Sequence, residues 1–221
     1  MDKRFLGILA GIIVIFAGIF VVSQHSTNKS TTTNAQPTNH VEGSSSSGVT
    51  LVEYGDYECP ICGDYYLPLK QAFGQFGNQI QFQFRNLPLT QIHQNAFAGA
   101  RAAEAAGLQN QYWQMHDQLY GNQTAWANSS NPQPYFDSYA KTLGLNVSQF
   151  DSDYASSKVN DSINADLAAF GKTGKPEATP TFFLDGKYID NSQLSDTSTG
   201  APSVDKLASV LSAEIAAKAK P

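Results

Sequence analysis

Apolar and polar positions divide the chain into three stretches of different periodicity. Residues 5–22 show no alternation at all: all 18 are apolar or glycine. Residues 23–48 are dominated by Ser, Thr, Asn and Gln, with four consecutive serines at 44–47, and offer too little apolar surface for a core. From Val49 onward, short period-2 runs alternate with helical spacing. Leu51, Val52 and Tyr54 mark a strand. A helix then runs from the cysteine pair at 59 and 62 to about Phe76, with Leu67, Leu69, Phe73 and Phe76 as its apolar set. Pro68 inside it predicts a kink or an irregular turn. Ile80, Phe82 and Phe84 alternate with Gln81, Gln83 and Arg85, the pattern of a half-buried strand.

Helices follow without intervening strands. The spacing predicts them over residues 93–106, closed by Gly107, over 109–120, over 134–143, closed by Gly144, over 146–156 and over 159–170. Residues 121–134 read as a polar loop holding Trp126. Strand patterning returns at residues 181–184 and 187–189, joined by the Asp185-Gly186 turn signal. A last helix starts at Pro202 or Ser203 and turns Val204, Leu207, Leu211 and Ile215 inward. The helical block of about residues 90–172 therefore interrupts an α/β pattern.

The apolar run is about long enough to cross a hydrocarbon core of roughly 30 Å. Lys3 and Arg4 precede it, which predicts a cytoplasmic N-terminus and an exported body. The expected organisation is a stub and transmembrane anchor at 1–22, a disordered polar tether at 23–48 and a folded domain at 49–221. A cleaved signal peptide is the competing reading, and it exports the same body. The tether is too short and too polar to be a dimerisation domain, so a monomer is expected. A net charge of −5 without a basic patch argues against a nucleic-acid partner. Ten Tyr and thirteen Phe supply large groups for a core or a peptide-binding surface.

The candidate chemistry lies in Cys59-Pro60-Ile61-Cys62, which contains both cysteines of the chain. Two thiols at this spacing are not a disulfide scaffold. At a helix start the first thiol meets unpaired backbone N–H groups and the positive end of the helix dipole, which lower its pKa. Cys59 is thus the expected exposed nucleophile, and Cys62, one turn on, the more buried resolving thiol. Pro60 suits the first helical position, where its missing N–H costs nothing. The Ile61 side chain adds neither charge nor hydrogen bond. Asp56, Glu58 and Asp64 should oppose the thiolate. Glu53, on the strand before the pair, reads either as a buried carboxyl with a raised pKa that relays a proton, or as an edge glutamate facing water.

A strand ending Val52-Glu53-Tyr54, CPIC at a helix start, a helical insertion and then Ala178-Thr179-Pro180-Thr181-Phe182-Phe183 together resemble DsbA-like thioredoxin-fold thiol–disulfide oxidoreductases, in particular the membrane-tethered bacterial type. The resemblance spans about residues 49–217. It implies an α/β thioredoxin fold with an inserted helical domain. It implies that Pro180 is a cis-proline beside the cysteines, and that the Thr179 backbone binds an extended substrate. Glu53 matches the family's buried acid. The expected activity is oxidation of reduced exported proteins, with a membrane quinone-linked oxidase restoring the disulfide and no diffusible cofactor. Ile61 stands where the family's best-known oxidase has histidine, which implies a weaker oxidant. An extracytoplasmic reductase or isomerase would use the same residues. A tethered metal-binding or peptide-binding module is the alternative of another class, although the further ligand candidates, His93 and His116, are isolated and zinc usually wants four. No metal is expected.

Overall fold

The computed structural model describes residues 35–220. Its centre is a five-stranded sheet in the order β1-β3-β2-β4-β5. These strands are β1 (His40–Gly43), β2 (Val49–Gly55), β3 (Ile80–Asn86), β4 (Thr181–Leu184) and β5 (Lys187–Ile189). β2 and β3 are parallel, and every other neighbouring pair is antiparallel. The crossover between the parallel strands is α1 (Pro60–Gly74), which carries Pro68 inside it without ending.

The insertion comprises α2 (Ala96–Gly107), α3 (Tyr112–Gly121), the single turn α4 (Gln123–Trp126), α5 (Gln133–Thr142), α6 (Val147–Tyr154) and α7 (Ser157–Gly171). The final helix, α8 (Val204–Lys218), packs against α1. Two cores result. The larger joins Leu51, Phe82, Phe84 and Phe182 to Cys62, Tyr65 and Leu69 of α1 and to the insertion. The smaller lies around Tyr54, Leu87, Leu89 and Phe170. β2 is central and has both faces covered, so the side chains of Leu51, Glu53 and Tyr54 are all buried.

Several expectations change. The folded domain begins near residue 35 rather than at Val49, because residues 40–43 form β1 at the edge of the sheet. Main-chain pairing with β3 needs few apolar side chains, so polar composition hid it. The segment is held by Trp113 Nε1–H donating to the Val41 carbonyl at 2.9 Å, and by the Thr38 N–H and hydroxyl donating to buried Asp166 at 2.7 Å each. It also covers Gln83, which is buried and donates to the Thr38 carbonyl rather than facing solvent. α2 starts at Ala96, not at His93, since the preceding side chains are engaged elsewhere: His93 with Asp56, and the Asn95 amide with the carbonyls of Ala127 and Ser129.

The predicted polar loop contains α4, and Trp126 within it is fully buried against Phe136. The anchor predicted at residues 5–22, and residues 23–34 of the tether, lie outside the described residues. Among the described residues, no helix is long and apolar enough to cross a membrane.

Candidate redox site

The turn after β2 delivers the cysteines. The Asp56 carboxylate accepts from the N–H groups of Glu58 (2.8 Å) and Leu89 (2.9 Å), and its third contact is His93 Nδ1 at 2.7 Å. Its charge is thus used locally to tie three segments together. The Cys59 N–H closes the turn on the Asp56 carbonyl at 3.1 Å. Cys59 is the N-cap of α1, with extended backbone and no side-chain cap, and Pro60 follows at the first helical position.

Both cysteines are thiols, and both are buried. Cys59 is 5% exposed and Cys62 1%, so the nucleophile expected to be exposed is nearly closed off from solvent. The Cys59 thiol is pulled down to about 6. A hydrogen bond from the Cys62 thiol is the largest cause, followed by the Thr179 hydroxyl and the backbone N–H groups of Cys62 and Ile61, all working against burial. Ile61 therefore contributes through its backbone, while its side chain stands 53% exposed. The expected opposition from Asp56, Glu58 and Asp64 does not appear among these causes. Asp56 and Glu58 are turned onto backbone N–H groups, Glu58 onto that of Asn95, and Asp64 is exposed to solvent. Cys62 is driven the other way, well above its ordinary value, by burial, by its hydrogen bond to Cys59 and by the Glu53 charge.

Thr179 and Pro180 lie more than a hundred residues away in sequence and close over the pair. The bond between them is cis. The Cys59 thiol donates to the Thr179 carbonyl at 3.4 Å. The buried Thr179 hydroxyl has no hydrogen-bond partner within the protein while Cys59 is a thiol, which leaves it available to a Cys59 thiolate. Glu53 points into the larger core, 2% exposed, and its Oε1 has no hydrogen-bond partner within the protein. It is not an edge glutamate facing water: β3 flanks it on one side and β4 on the other. Burial, and then the Cys59 charge, push its carboxyl up to about 8, so it is mostly protonated at neutral pH.

Sequence reading missed two supporting residues. The Gln123 amide of α4 donates to the Tyr57 carbonyl (2.8 Å) and the Cys59 carbonyl (2.9 Å), binding the insertion to the redox turn. It passes so close that a Cβ at Gly63 would come within 2.6 Å of its Oε1, which accounts for glycine directly after Cys62. Asn191 Nδ2–H donates to the Pro180 carbonyl at 3.0 Å and steadies the other side. Nothing local in sequence marks either residue; only the fold brings them in. His93 is Asp56's partner, and His116 is packed among Tyr57, Phe84, Trp113 and Tyr120. Among the described residues, no group of three or more His, Cys, Asp or Glu could hold a metal ion.

A family model described as thioredoxin matches residues 35–201. Among solved structures, oxidised BdbD from Bacillus subtilis superposes with a TM-score of 0.67 at 19% identity, over 82% of this chain and 97% of that one. A thioredoxin-like oxidoreductase from Silicibacter pomeroyi gives 0.63 at 24% identity, over 82% and 94%. DsbA2 from Pseudomonas aeruginosa gives 0.56 at 25% identity, over 70% and 86%. A curated relative, the Na(+)/H(+) antiporter NhaA 1 of Mycolicibacterium gilvum, is 36% identical over 152 residues, 67% of this chain. The match spans only 23% of that protein, so the likeness is confined to one segment of it.

Proposed function

The chain belongs to the thioredoxin family and carries the DsbA-like form of its fold, and from that premise we propose that it is a protein thiol–disulfide oxidoreductase working as an oxidase on exported proteins. The observation that carries the reading is the contrast within one helical turn: a Cys59 thiol lowered to about 6, and a Cys62 thiol driven up beside an unpartnered acid. A low-pKa thiol is a good leaving group and stabilises the reduced form of the pair, which makes the disulfide oxidising.

A substrate thiolate attacks Cys59 Sγ of the disulfide. The substrate backbone pairs with Thr179, and Cys62 leaves as a thiolate. Glu53 supplies its proton. A second substrate thiol then attacks the mixed disulfide and releases Cys59 as a thiolate. Substrate gains the disulfide, and Cys59 and Cys62 are left reduced. A membrane quinone-linked oxidase restores them, and no diffusible cofactor takes part. Residues 5–22 anchor a monomer in the membrane with the described domain outside, a compartment in which disulfides persist. Ion transport belongs to the antiporters' own names and is not part of this reading.

The test is the reduction potential of Cys59 and Cys62, measured against glutathione. A value toward the about −120 mV of the strongest oxidants of this fold supports the oxidase. A value at or below about −270 mV, that of reducing thioredoxin, would overturn it in favour of the reductase.

A further inference from the structure

The buried half of the redox pair has a second side. Behind it lies a cavity of about 310 Å³, bordered by α1, α3, β1 and β3. Glu53 and Cys62 line it, with Tyr66, Phe82, His116 and Tyr120 as walls. Neither Cys59, Thr179 nor Pro180 takes part in that lining. The ion pair of Lys70 and Asp117, both substantially exposed, marks its solvent side. His116 is buried, and neither of its ring nitrogens has a hydrogen-bond partner within the protein. The Asp117 carboxylate stands 3.7 Å from its Nδ1. The cavity thus offers room for several waters and unpartnered polar atoms, on Glu53 and His116, to hold them.

The two sides of the pair face different conditions during turnover. A peptide joined to Cys59 and laid along Thr179 covers the front. The rear cavity stays open, because the residues a substrate would occupy do not line it. We infer that this cavity is the proton route of the redox site, connecting Glu53 to solvent while substrate covers the Thr179 side, with His116 positioning the water within it. The inference rests on the reading of Glu53 as proton donor to Cys62. In the step concerned, the bond from substrate sulfur to Cys59 forms as the bond from Cys59 to Cys62 breaks. The electron pair leaves on Cys62 Sγ. Glu53 gives that sulfur its proton and becomes a carboxylate. A proton from solvent, passed along cavity water beside His116, restores the neutral acid. No external oxidant or reductant enters.

Gly74 provides a way to close the route. It lines the cavity at the end of α1, and a Cβ added there meets no atom within 4 Å. Gly74→Trp narrows the mouth, Gly74→Ala leaves it open, and His116→Phe keeps a ring while removing both nitrogens. The assay mixes the oxidised full-length protein with a reduced single-cysteine decapeptide and follows the mixed disulfide by acid quench and mass spectrometry, in H2O and in D2O. Gly74→Trp and His116→Phe should slow the step by roughly tenfold, less than the about 10²–10⁴-fold that a positioned proton donor supplies, because Glu53 itself is kept. Their solvent isotope effect should be larger than that of the wild type, and Gly74→Ala should react at the wild-type rate. Slowing with a raised isotope effect in either variant supports the route. Wild-type rates in both, or slowing with an unchanged isotope effect, would overturn it. Glu53→Gln in the same assay separates the two readings. If it reacts at full rate, the proton-donor reading fails; if it is slow beside full-rate cavity variants, only the route fails.

Discussion

Cys59 and Cys62 share a helix and sit one turn apart, yet they meet opposite surroundings. Around Cys59 are donors: the Cys62 thiol, the Thr179 hydroxyl and two N–H groups at the start of α1. Around Cys62 are the apolar core and a carboxyl group. Burial acts on both sulfurs. What separates them is whether anything compensates a negative charge, and the helix start does so for one position only. On the proposed mechanism this contrast sets the order of attack, and it originates in where α1 begins.

The largest expected effects break the contrast outright. Cys59→Ser should remove disulfide transfer to a reduced peptide altogether. Cys62→Ser, with Cys59 first loaded as its mixed disulfide by oxidised glutathione, should exchange glutathione for the peptide and accumulate the peptide mixed disulfide on Cys59, as seen on non-reducing gels with peptide mass mapping. Equal trapping by both variants would reverse the assignment.

Next comes Glu53→Gln, which should slow the reaction by roughly 10²-fold in stopped-flow, the lower range of a lost proton donor. The same variant should raise the melting temperature of the reduced protein at pH 7. The sign follows from an acid whose folded pKa is raised from 4.5 to about 8. Its unfolded form ionises first, so it withdraws stability progressively as pH rises from 4.5 to 8. Glutamine has no such loss. A lower melting temperature at pH 7 would contradict the raised pKa.

A third prediction sharpens the contrast through pH. With Glu53→Gln as background, the reduction potential should fall by about 59 mV per pH unit below pH 6, where both thiols take up protons. Above pH 6 the slope should halve to about 30 mV, because Cys59 stays a thiolate and only Cys62 is protonated. A single slope up to pH 8 would place both thiols at ordinary values. The smallest effect concerns the support of the turn. Gln123→Leu leaves the Tyr57 and Cys59 carbonyls without their donor and should cost about 2 kcal/mol in urea unfolding.

The parts of the site that were legible in sequence carry their signal in residue identity. Only cysteine does this chemistry, proline marks both the helix start and the strand after Thr179, and the periodicity around residues 80–86 marks a strand. Flanked by Val52 and Tyr54, Glu53 was readable as a buried carboxyl or as an edge glutamate facing water, and its burial between β3 and β4 decides for the first. The parts that were not legible depend on long-range geometry. β1 pairs through its main chain, so residues 40–43, with Val41 as their single apolar side chain, gave no sign of a strand. Asp56 looks in sequence like a charge opposing the thiolate, but the fold turns it onto Leu89 and His93. Gln123 lies in a polar stretch and reaches the redox turn only because α3 and α4 fold back over it. The proposed anchor at residues 5–22 rests on hydropathy alone.

The difference between the two sulfurs can be read directly from the pH dependence of alkylation. Reduced protein is treated briefly with iodoacetamide between pH 4 and 10, and each labelled cysteine is located by mass spectrometry. One thiol should react half-maximally near pH 6 and prove to be Cys59, with Cys62 unlabelled until far higher pH. Half-maximal labelling of Cys59 at pH 8.5 or above, or labelling of Cys62 first, would contradict the account.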